Sequence, residues 1–280
     1  MGALTQTCIS EGPRQSAVLT GPLAAAHLQW DGFRDIAWPR RWTAPATVRP
    51  HPEVVRTRNW LAPMHVDGLL LAHPILILRH LGNDVSGFPD DPKISHLERI
   101  ELAVEHALRT GMDLTDLRRS SVWKGRTPGD QMLASVLVER GFEPPAESFA
   151  ETRQIQRLRD WGYYCWRQVP IYERGQVKHR VDVVVPFDQP RARIWRPQQV
   201  LPADGLVLEV DSREFHHNRF EEDHARETTY DLLGYSWMSF TPNQLEHSPA
   251  RARAAFERRF EQAKRNTQTA KRNTQARKVA

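Results

Sequence analysis

The sequence has 280 residues, of which 40% are hydrophobic and 26% charged, as in a soluble globular protein with room for two modest domains. No apolar run approaches the roughly 20 residues that span a bilayer, and the N-terminus lacks a basic-then-apolar signal segment. Only two cysteines occur, Cys8 and Cys165, without the Cys/His spacing of a zinc site. We therefore expect a reducing, cytoplasmic location and no disulfide framework.

The net charge of +5 comes from the C-terminal tail rather than from the body of the chain. After Glu261 there are six basic residues and no acidic one, so taking those six away from +5 leaves −1. The tail repeats itself as AKRNTQTAKRNTQARK and has almost no large apolar side chain, which predicts a disordered basic arm over residues 263–280. Such an arm either adds non-specific affinity for phosphate or only keeps the chain in solution.

Residues 16–142 predict a mixed N-terminal domain that becomes helical toward its end, after a loose start over residues 1–15. A short helix is expected near residues 22–28, several short strands around residues 48–71, and a helix over residues 74–81 with proline in its first turn. Ser95 and Glu98 form a capping box at the start of the next helix, and two more helices follow up to about residue 140.

Residues 145–262 predict a second domain in which helix and strand patterns alternate. The first helix is capped at Ser148, with Glu151 at the capping-box position. Three strands follow, RQVPIY, HRVDVVVPF and GLVLEVDS, with a Pro- and Arg-rich loop at residues 188–204 before the third. A helix, a fourth strand and a last helix complete the order α-β-β-β-α-β-α, so we predict an α/β (α+β) fold around a mixed sheet flanked by helices.

Acidic side chains on these elements are expected to meet. Alternation along a strand places Asp182 on the face opposite to its valine neighbours, and it places Glu209 and Asp211 together on one face. If the two strands are neighbours, these three carboxylates converge, with Glu151 above them. Because crowded carboxylates are costly to remove from water, the pattern predicts a Mg²⁺ site, or a Mn²⁺ site, of the kind that hydrolyses phosphodiesters.

Two further side chains are candidates for the chemistry at such a site. His216 follows the acidic strand and can accept a proton near neutral pH. Gln168 lies on the first predicted strand, where a neutral amide can orient an attacking water.

These motifs, from ESFAETRQIQRLRDWGYYCWRQVPIY to EEDHARETTYDLLGYSWMSFT, resemble the PD-(D/E)XK nuclease superfamily and more closely its very-short-patch-repair-like endonuclease branch. The resemblance covers about residues 145–245 and implies a restriction-endonuclease-like sheet and a Mg²⁺-dependent endonuclease that acts on DNA. It assigns roles as follows: Glu151 is the helix carboxylate, Asp182 the metal-bridging residue, Glu209 and Asp211 the second acidic position, His216 the base, and Asp223 with Arg226 the pair on the trailing helix.

Two positions depart from the pattern of that superfamily. Asp211 stands where the superfamily name has lysine, and Ser212 stands where the branch usually has glycine. Very-short-patch-repair enzymes also lack that lysine and rely on histidine, so the first departure implies a change of mechanism. The departures leave open an alternative, a non-catalytic DNA-binding or regulatory antitoxin-like protein that keeps the nuclease scaffold. In either case we assign the DNA backbone contacts to Arg191, Arg193, Arg196 and Arg226.

The segments VLTGPLAAAHLQW and VVRTRNWLAPMHVDG are similar to the middle region of AbiEi-type antitoxin proteins, over about half of residues 16–140. This similarity implies a toxin or a defence-system protein as a partner. Such proteins usually begin with a winged-helix DNA-binding unit, and too few residues precede this region to hold one. We therefore do not expect a sequence-specific repressor.

Several of these residues also have simpler explanations. Glu151 fits a capping box without any metal, and Asp223 with Arg226 fits an ordinary ion pair on a helix surface. Trp161 and Trp166 either stack on bases or pack in the core.

Overall fold

The computed structural model describes the chain except residues 1–16, 35–41, 46–53, 58–59, 84–92, 120–126, 142, 174–175, 190–201, 212–219 and 280. The fold is mixed α/β with two mixed sheets flanked by helices, which confirms the predicted fold class. The chain divides into two compact units, Met1–Phe142 and Glu143–Ala280, close to the change of character in the sequence. No helix in the described part of the chain has the length and hydrophobicity that a bilayer crossing requires.

The elements of the first unit are β1 Val18–Leu19, α1 Gly21–His27, β2 Trp42–Pro45, β3 Val54–Thr57, β4 Met64–Val66, β5 Leu69–Leu71, α2 Pro74–Asn83, α3 His96–Arg109, α4 Leu114–Arg119 and α5 Pro128–Arg140. The strands form a five-stranded sheet in the order β3-β2-β1-β5-β4. Strand β1 pairs with β5 and β2 pairs with β3 in parallel, whereas β1/β2 and β4/β5 are antiparallel.

Helices α2 and α3 supply much of the core of the first unit. Leu76, Ile100 and Val104 are fully buried in one apolar cluster. The capping box predicted at the start of α3 is present, because Ser95 N–H donates to Glu98 Oε2 at 2.7 Å and Glu98 N–H donates to Ser95 Oγ at 3.3 Å.

The elements of the second unit are α6 Phe149–Asp160, β6 Trp166–Glu173, β7 Gln176–Pro186, β8 Gly205–Val210, α7 Phe220–Leu232, β9 Ser236–Phe240, α8 Pro242–His247 and α9 Pro249–Val279. The strands form a four-stranded sheet in the order β6-β7-β8-β9. Strands β6, β7 and β8 form an antiparallel meander, and β9 lies parallel to β8 because α7 carries the chain back between them.

Apolar clusters cover both faces of this sheet, which gives the unit three layers. On one face Val183 and Leu208 pack with Ile155 of α6 and Phe256 of α9. The other face carries a smaller cluster that includes Tyr230 of α7. The sheet is therefore sandwiched between α6 and α9 on one side and α7 on the other, and polar groups within it are shielded from water.

Helix α6 is fixed by a buried ion pair as well as by apolar contacts. Arg153, whose side chain is 1% exposed, donates from Nε to Glu246 Oε1 of α8 at 2.6 Å and from Nη2 to Oε2 at 3.2 Å. Arg157 Nη2 reaches the same carboxylate at 3.4 Å. A fork of this kind restrains the rotation of α6, and it therefore sets the direction in which the first turn of the helix points.

The C-terminal helix differs from the prediction. We predicted that the last helix ends near residue 263 and that a disordered arm follows, but α9 continues to Val279. The physical reason is composition, since this segment is rich in Ala, Arg, Lys and Gln and has no Gly or Pro after its first residue. Ala263 is fully buried, whereas none of residues 264–273 is buried, so the distal part of α9 is a solvated helix.

Candidate active site

Polar side chains form one row across the sheet of the second unit. The β6/β7 register pairs Arg167 with Val183 and Val169 with Val181, so Gln168 and Asp182 lie opposite each other between these pairs. Strand β7 continues the row to β8, because the pairing of Val183 with Leu208 places Asp182 opposite Glu209 one step further along. The row joins three strands at the level where β7 and β8 end their regular pairing.

Glu151 enters this row from the first turn of α6. Ser148 caps the helix as predicted, since its hydroxyl accepts from the Glu151 N–H at 3.1 Å. In a capping box the Glu151 carboxylate would accept from the N–H of Ser148. Here it accepts from the N–H of Glu147 at 2.8 Å and from the side-chain amide of Gln168 at 3.0 Å. Helix capping therefore does not account for the whole role of Glu151, because its carboxylate also contacts the sheet.

The backbone of Gln168 has an unusual conformation for a strand residue. Its φ is +49°, in the left-handed region that side chains other than glycine rarely adopt. Trp166 and Val169 belong to the same apolar cluster, although regular alternation would place them on opposite faces. The irregularity at Gln168 reverses the alternation and brings its amide to Glu151, so the strained backbone serves the polar row.

The regular pairing of β7 with β8 ends at Val183 and Leu208, and the carboxylate of Asp182 adds a contact beyond that point. Asp182 Oδ2 accepts from the backbone N–H of Val210 at 3.2 Å. On the other side of β8, the side-chain amide of Gln154 on α6 donates to the carbonyl oxygen of Glu209 at 3.4 Å. The end of β8 is thus held by polar groups from both β7 and α6.

Two side chains of α7 hold the carboxylate of Glu209. Tyr230, which is fully buried, donates from its hydroxyl to Glu209 Oε1 at 2.7 Å. Arg226 donates from Nη1 to Glu209 Oε2 at 3.3 Å. Residues 226 and 230 are four apart, so they share one face of α7. This face is directed at the acidic row.

Burial raises the pKa of the carboxyl groups of Asp182, Glu209 and Glu151. Loss of hydration is the largest cause at Asp182, and the negative charge of Glu209 raises the pKa of Asp182 further. Burial also raises the pKa of Glu209, although the hydrogen bond from Tyr230 and the charge of Arg226 act in the opposite direction. The pKa of Glu151 rises to about 7, first through burial and then through the charge of Asp182. The row therefore favours either bound protons or a nearby cation.

The predicted convergence of three metal-ligating carboxylates is met only in part. Asp182 and Glu209 interact directly, and Asp211 lies two residues beyond Glu209, where its N–H donates to the carbonyl of Phe240 at 2.8 Å. Among the described residues no three His, Cys, Asp or Glu side chains are grouped closely enough to hold a metal ion. Asp211 thus continues the β8/β9 pairing and does not complete a metal-binding group with Asp182 and Glu209.

Several predicted residues fall outside the described part of the chain. They are His216, which we predicted as the base, and Arg191, Arg193 and Arg196, which we predicted to contact DNA. The side chain of Asp223, which we predicted to pair with Arg226 on α7, is also outside the described part. The ring centroids of Trp161 and Phe256 lie 5.8 Å apart, so the partly buried Trp161 packs against the core, and Trp166, which is 8% exposed, lies within it.

Tyr230 and Gln154 are the site residues that the sequence reasoning missed. Each has a helical-spacing signal, because Tyr230 follows Arg226 by four positions and Gln154 follows Glu151 by three. A tyrosine on an amphipathic helix is, however, an ordinary core residue, so only the contact with Glu209 reveals its role.

Comparison with known proteins finds no relative for this chain: no family model, no curated protein sequence and no solved structure matches it.

Proposed function

We propose that the second unit is a metal-dependent DNA endonuclease of the very-short-patch-repair-like type, which hydrolyses phosphodiester bonds. The observation that carries the proposal is the row formed by Gln168, Asp182 and Glu209 across three strands, with Glu151 reaching it from α6. These residues come from the elements, and in the order, that the family resemblance requires. A row of buried carboxylates has no evident use in packing, since each costs free energy to remove from water.

The fit of a divalent cation to these residues can be tested against their donor atoms. Mg²⁺ is usually held by one or two carboxylates, together with water and substrate phosphates, rather than by a full protein cage. Asp182 and Glu209 provide such a pair, and the raised pKa values of both report the unfavourable charge that a cation would relieve. When bound, Mg²⁺ or Mn²⁺ supplies positive charge beside the phosphate and makes a nearby water more acidic.

The residues around the pair orient it. Tyr230 and Arg226 fix the carboxylate of Glu209, and the Val210 N–H fixes that of Asp182. Gln168, which we predicted to orient the attacking water, also positions Glu151 through its amide. In this proposal His216 remains the proton acceptor, because it follows the acidic strand in the sequence.

Contacts with DNA are assigned to basic side chains close to the row and beyond it. The Arg226 side chain is 34% exposed, so its guanidinium is accessible to a backbone phosphate. Arg191, Arg193 and Arg196, together with the solvated basic part of α9, would add contacts that do not depend on base sequence. The similarity of the first unit to AbiEi-type antitoxins adds a toxin or a defence-system protein as a proposed partner.

A plasmid-nicking assay tests the proposed activity. We expect the wild-type protein to convert supercoiled plasmid to the nicked form in MgCl₂ or MnCl₂ but not in EDTA, and we expect Asp182→Asn to lose this activity. Asp188→Asn makes the same chemical change at an exposed position and should cut like the wild type. If the wild-type protein cuts neither plasmid nor single-stranded DNA with either metal, the proposal is wrong.

A non-catalytic DNA-binding or regulatory role is the second candidate, and one observation favours it. Both carboxylate oxygens of Glu209 already accept hydrogen bonds within the protein, from Tyr230 and Arg226. A Glu209 carboxylate held in this way needs no metal to neutralise its charge. Calorimetric titration with MgCl₂ separates the two candidates: binding that Asp182→Asn abolishes supports the endonuclease, whereas DNA binding without any metal binding supports the regulatory role.

A further inference from the structure

The guanidinium of Arg226 lies where a cation bound to Glu209 would be expected. We propose that Arg226 is an internal counter-cation that holds Glu209 until a divalent cation displaces it, and that Arg226 thereby sets the metal affinity of the site. This inference rests on the proposed function, because it assigns a regulatory device to the same acidic pair. It concerns this chain's own residues, and it is tested by metal binding without any DNA.

The two partners of Glu209 differ in whether they can remain when a cation arrives. Tyr230 is uncharged and fully buried, so its hydroxyl can keep its bond to Oε1 while Oε2 faces a metal ion. Arg226 carries a positive charge and bonds to Oε2 itself at 3.3 Å. Because like charges repel at this range, the guanidinium and a divalent cation compete for the same oxygen.

The position of Arg226 allows it to leave without unfolding the helix. Its side chain is 34% exposed, whereas that of Glu209 is 13% exposed, so the arginine lies on the solvent side of the pair. The long side chain can swing outward while α7 stays attached to the sheet through Tyr230. The charge of Arg226 also acts on Asp182, so its departure would leave both carboxylates to the incoming ion.

Displacement of Arg226 also couples metal binding to DNA binding. A guanidinium released beside the acidic pair is placed to form a bidentate contact with a backbone phosphate. Linkage then requires the reverse effect: a phosphate that draws Arg226 away from Glu209 raises the affinity of the pair for the metal. The site would therefore bind its cation weakly when alone and more tightly when a nucleic-acid backbone is present.

Isothermal titration calorimetry with MnCl₂ alone, on full-length protein freed of metal by chelation, tests the inference. In the wild type, Mn²⁺ must break the charge-assisted hydrogen bond between Arg226 and Glu209 before it can bind. Arg226→Gln lacks this charged competitor, so we expect it to bind Mn²⁺ at least about tenfold more tightly than the wild type. Arg226→Lys, which keeps the charge, should stay close to the wild type. Arg253→Gln removes the same charge from an exposed pair with Glu257 on α9, and it should leave Mn²⁺ affinity unchanged.

Each outcome of this titration decides something. Equal or weaker Mn²⁺ binding by Arg226→Gln overturns the competition, while Asp182-dependent binding by the wild type leaves the endonuclease proposal standing. If no protein in the series binds Mn²⁺, both the inference and the proposed function fail. If Arg226→Gln is unfolded without metal, we expect added Mn²⁺ to restore a cooperative thermal transition, and the inference fails if it does not.

Discussion

The side-chain amide of Gln168 donates to the carboxylate of Glu151 across 3.0 Å, from a backbone whose φ is +49°. This bond ties the first strand of the second unit to the first turn of α6. It also places a neutral donor against a carboxyl group that is 6% exposed. The left-handed backbone and the buried carboxyl are therefore two parts of one arrangement beside Asp182.

The backbone conformation of Gln168 leads to a prediction about stability. Glycine is normally worse than alanine within a strand, but a left-handed φ reverses this order. Gln168→Gly and Gln168→Ala both lose the bond to Glu151 and should destabilise the protein by about 1–3 kcal/mol. We expect the glycine variant to be the more stable of the two by about 1 kcal/mol in urea unfolding.

Val177 provides the matched control, because it is an exposed residue of β7 that pairs with Tyr172 and whose φ is not positive. At this position Val177→Ala should be more stable than Val177→Gly. An alanine advantage at residue 168 as well would show that the left-handed backbone does not persist in solution.

The raised pKa of Glu151 gives the protein a defined pH dependence. Its pKa rises from 4.5 in the unfolded chain to about 7 in the folded protein, so the folded state holds the proton more tightly. The stability that this proton contributes is complete below pH 4.5 and is lost as the pH rises through about 7. Glu151→Gln lacks the titration, so its stability relative to the wild type should increase between pH 5 and pH 8, by up to about 3 kcal/mol.

Urea unfolding in EDTA at a series of pH values measures this effect without interference from metal. Glu257→Gln removes an exposed carboxylate from the ion pair on α9 and should shift stability by less than about 1 kcal/mol at every pH. A constant difference between Glu151→Gln and the wild type across the series would mean that Glu151 is ionised in the folded protein throughout.

The basic end of α9 should be separable from the rest of the second unit. None of residues 264–273 is buried, so deletion of residues 264–280 should change the midpoint of thermal unfolding by only a few degrees. Because the distal segment is helical, the deletion should also lower the molar ellipticity at 222 nm by more than the loss of a disordered tail would. Unchanged helix content would show that this segment is disordered, as its composition predicted.

The same deletion tests the contribution of the arm to DNA binding. The distal segment carries six basic residues and no acidic one, so its removal should reduce the slope of log affinity against log salt concentration. A truncated protein with an unchanged slope would show that this part of α9 makes no contact with the phosphate backbone.

The sequence predicts the elements of the second unit well because their signals are local. Alternation identified the strands that carry Asp182 and Glu209, and the Ser148 cap identified the start of α6. Their order indicated a mixed sheet flanked by helices, and the parallel pairing of β8 with β9 next to the antiparallel strands makes the sheet mixed. Asp182 and Glu209 were expected to converge if the two strands are neighbours, as they are. Alternation itself breaks at Asp182, because Val181 and Val183, expected on one face, lie in different apolar clusters.

Features that depend on non-local contacts were not predictable in this way. The alternation rule assumes a regular strand, so it could not place the amide of Gln168 against Glu151. It also could not show that Tyr230 holds Glu209, because a buried tyrosine on a helix has the same pattern whether or not its hydroxyl has a partner. The long α9 was missed for a different reason: the absence of apolar residues indicated disorder, although the helix propensity of the segment is high.

The central claim is that Asp182 and Glu209 together hold a divalent cation. Anomalous scattering from crystals of the full-length protein grown with MnCl₂ tests it most directly. We predict a manganese peak within coordination distance of carboxylate oxygens of both residues, and no such peak in crystals of Asp182→Asn. A peak located elsewhere, or a map in which saturating Mn²⁺ leaves Glu209 bonded to Arg226 as before, would contradict the account.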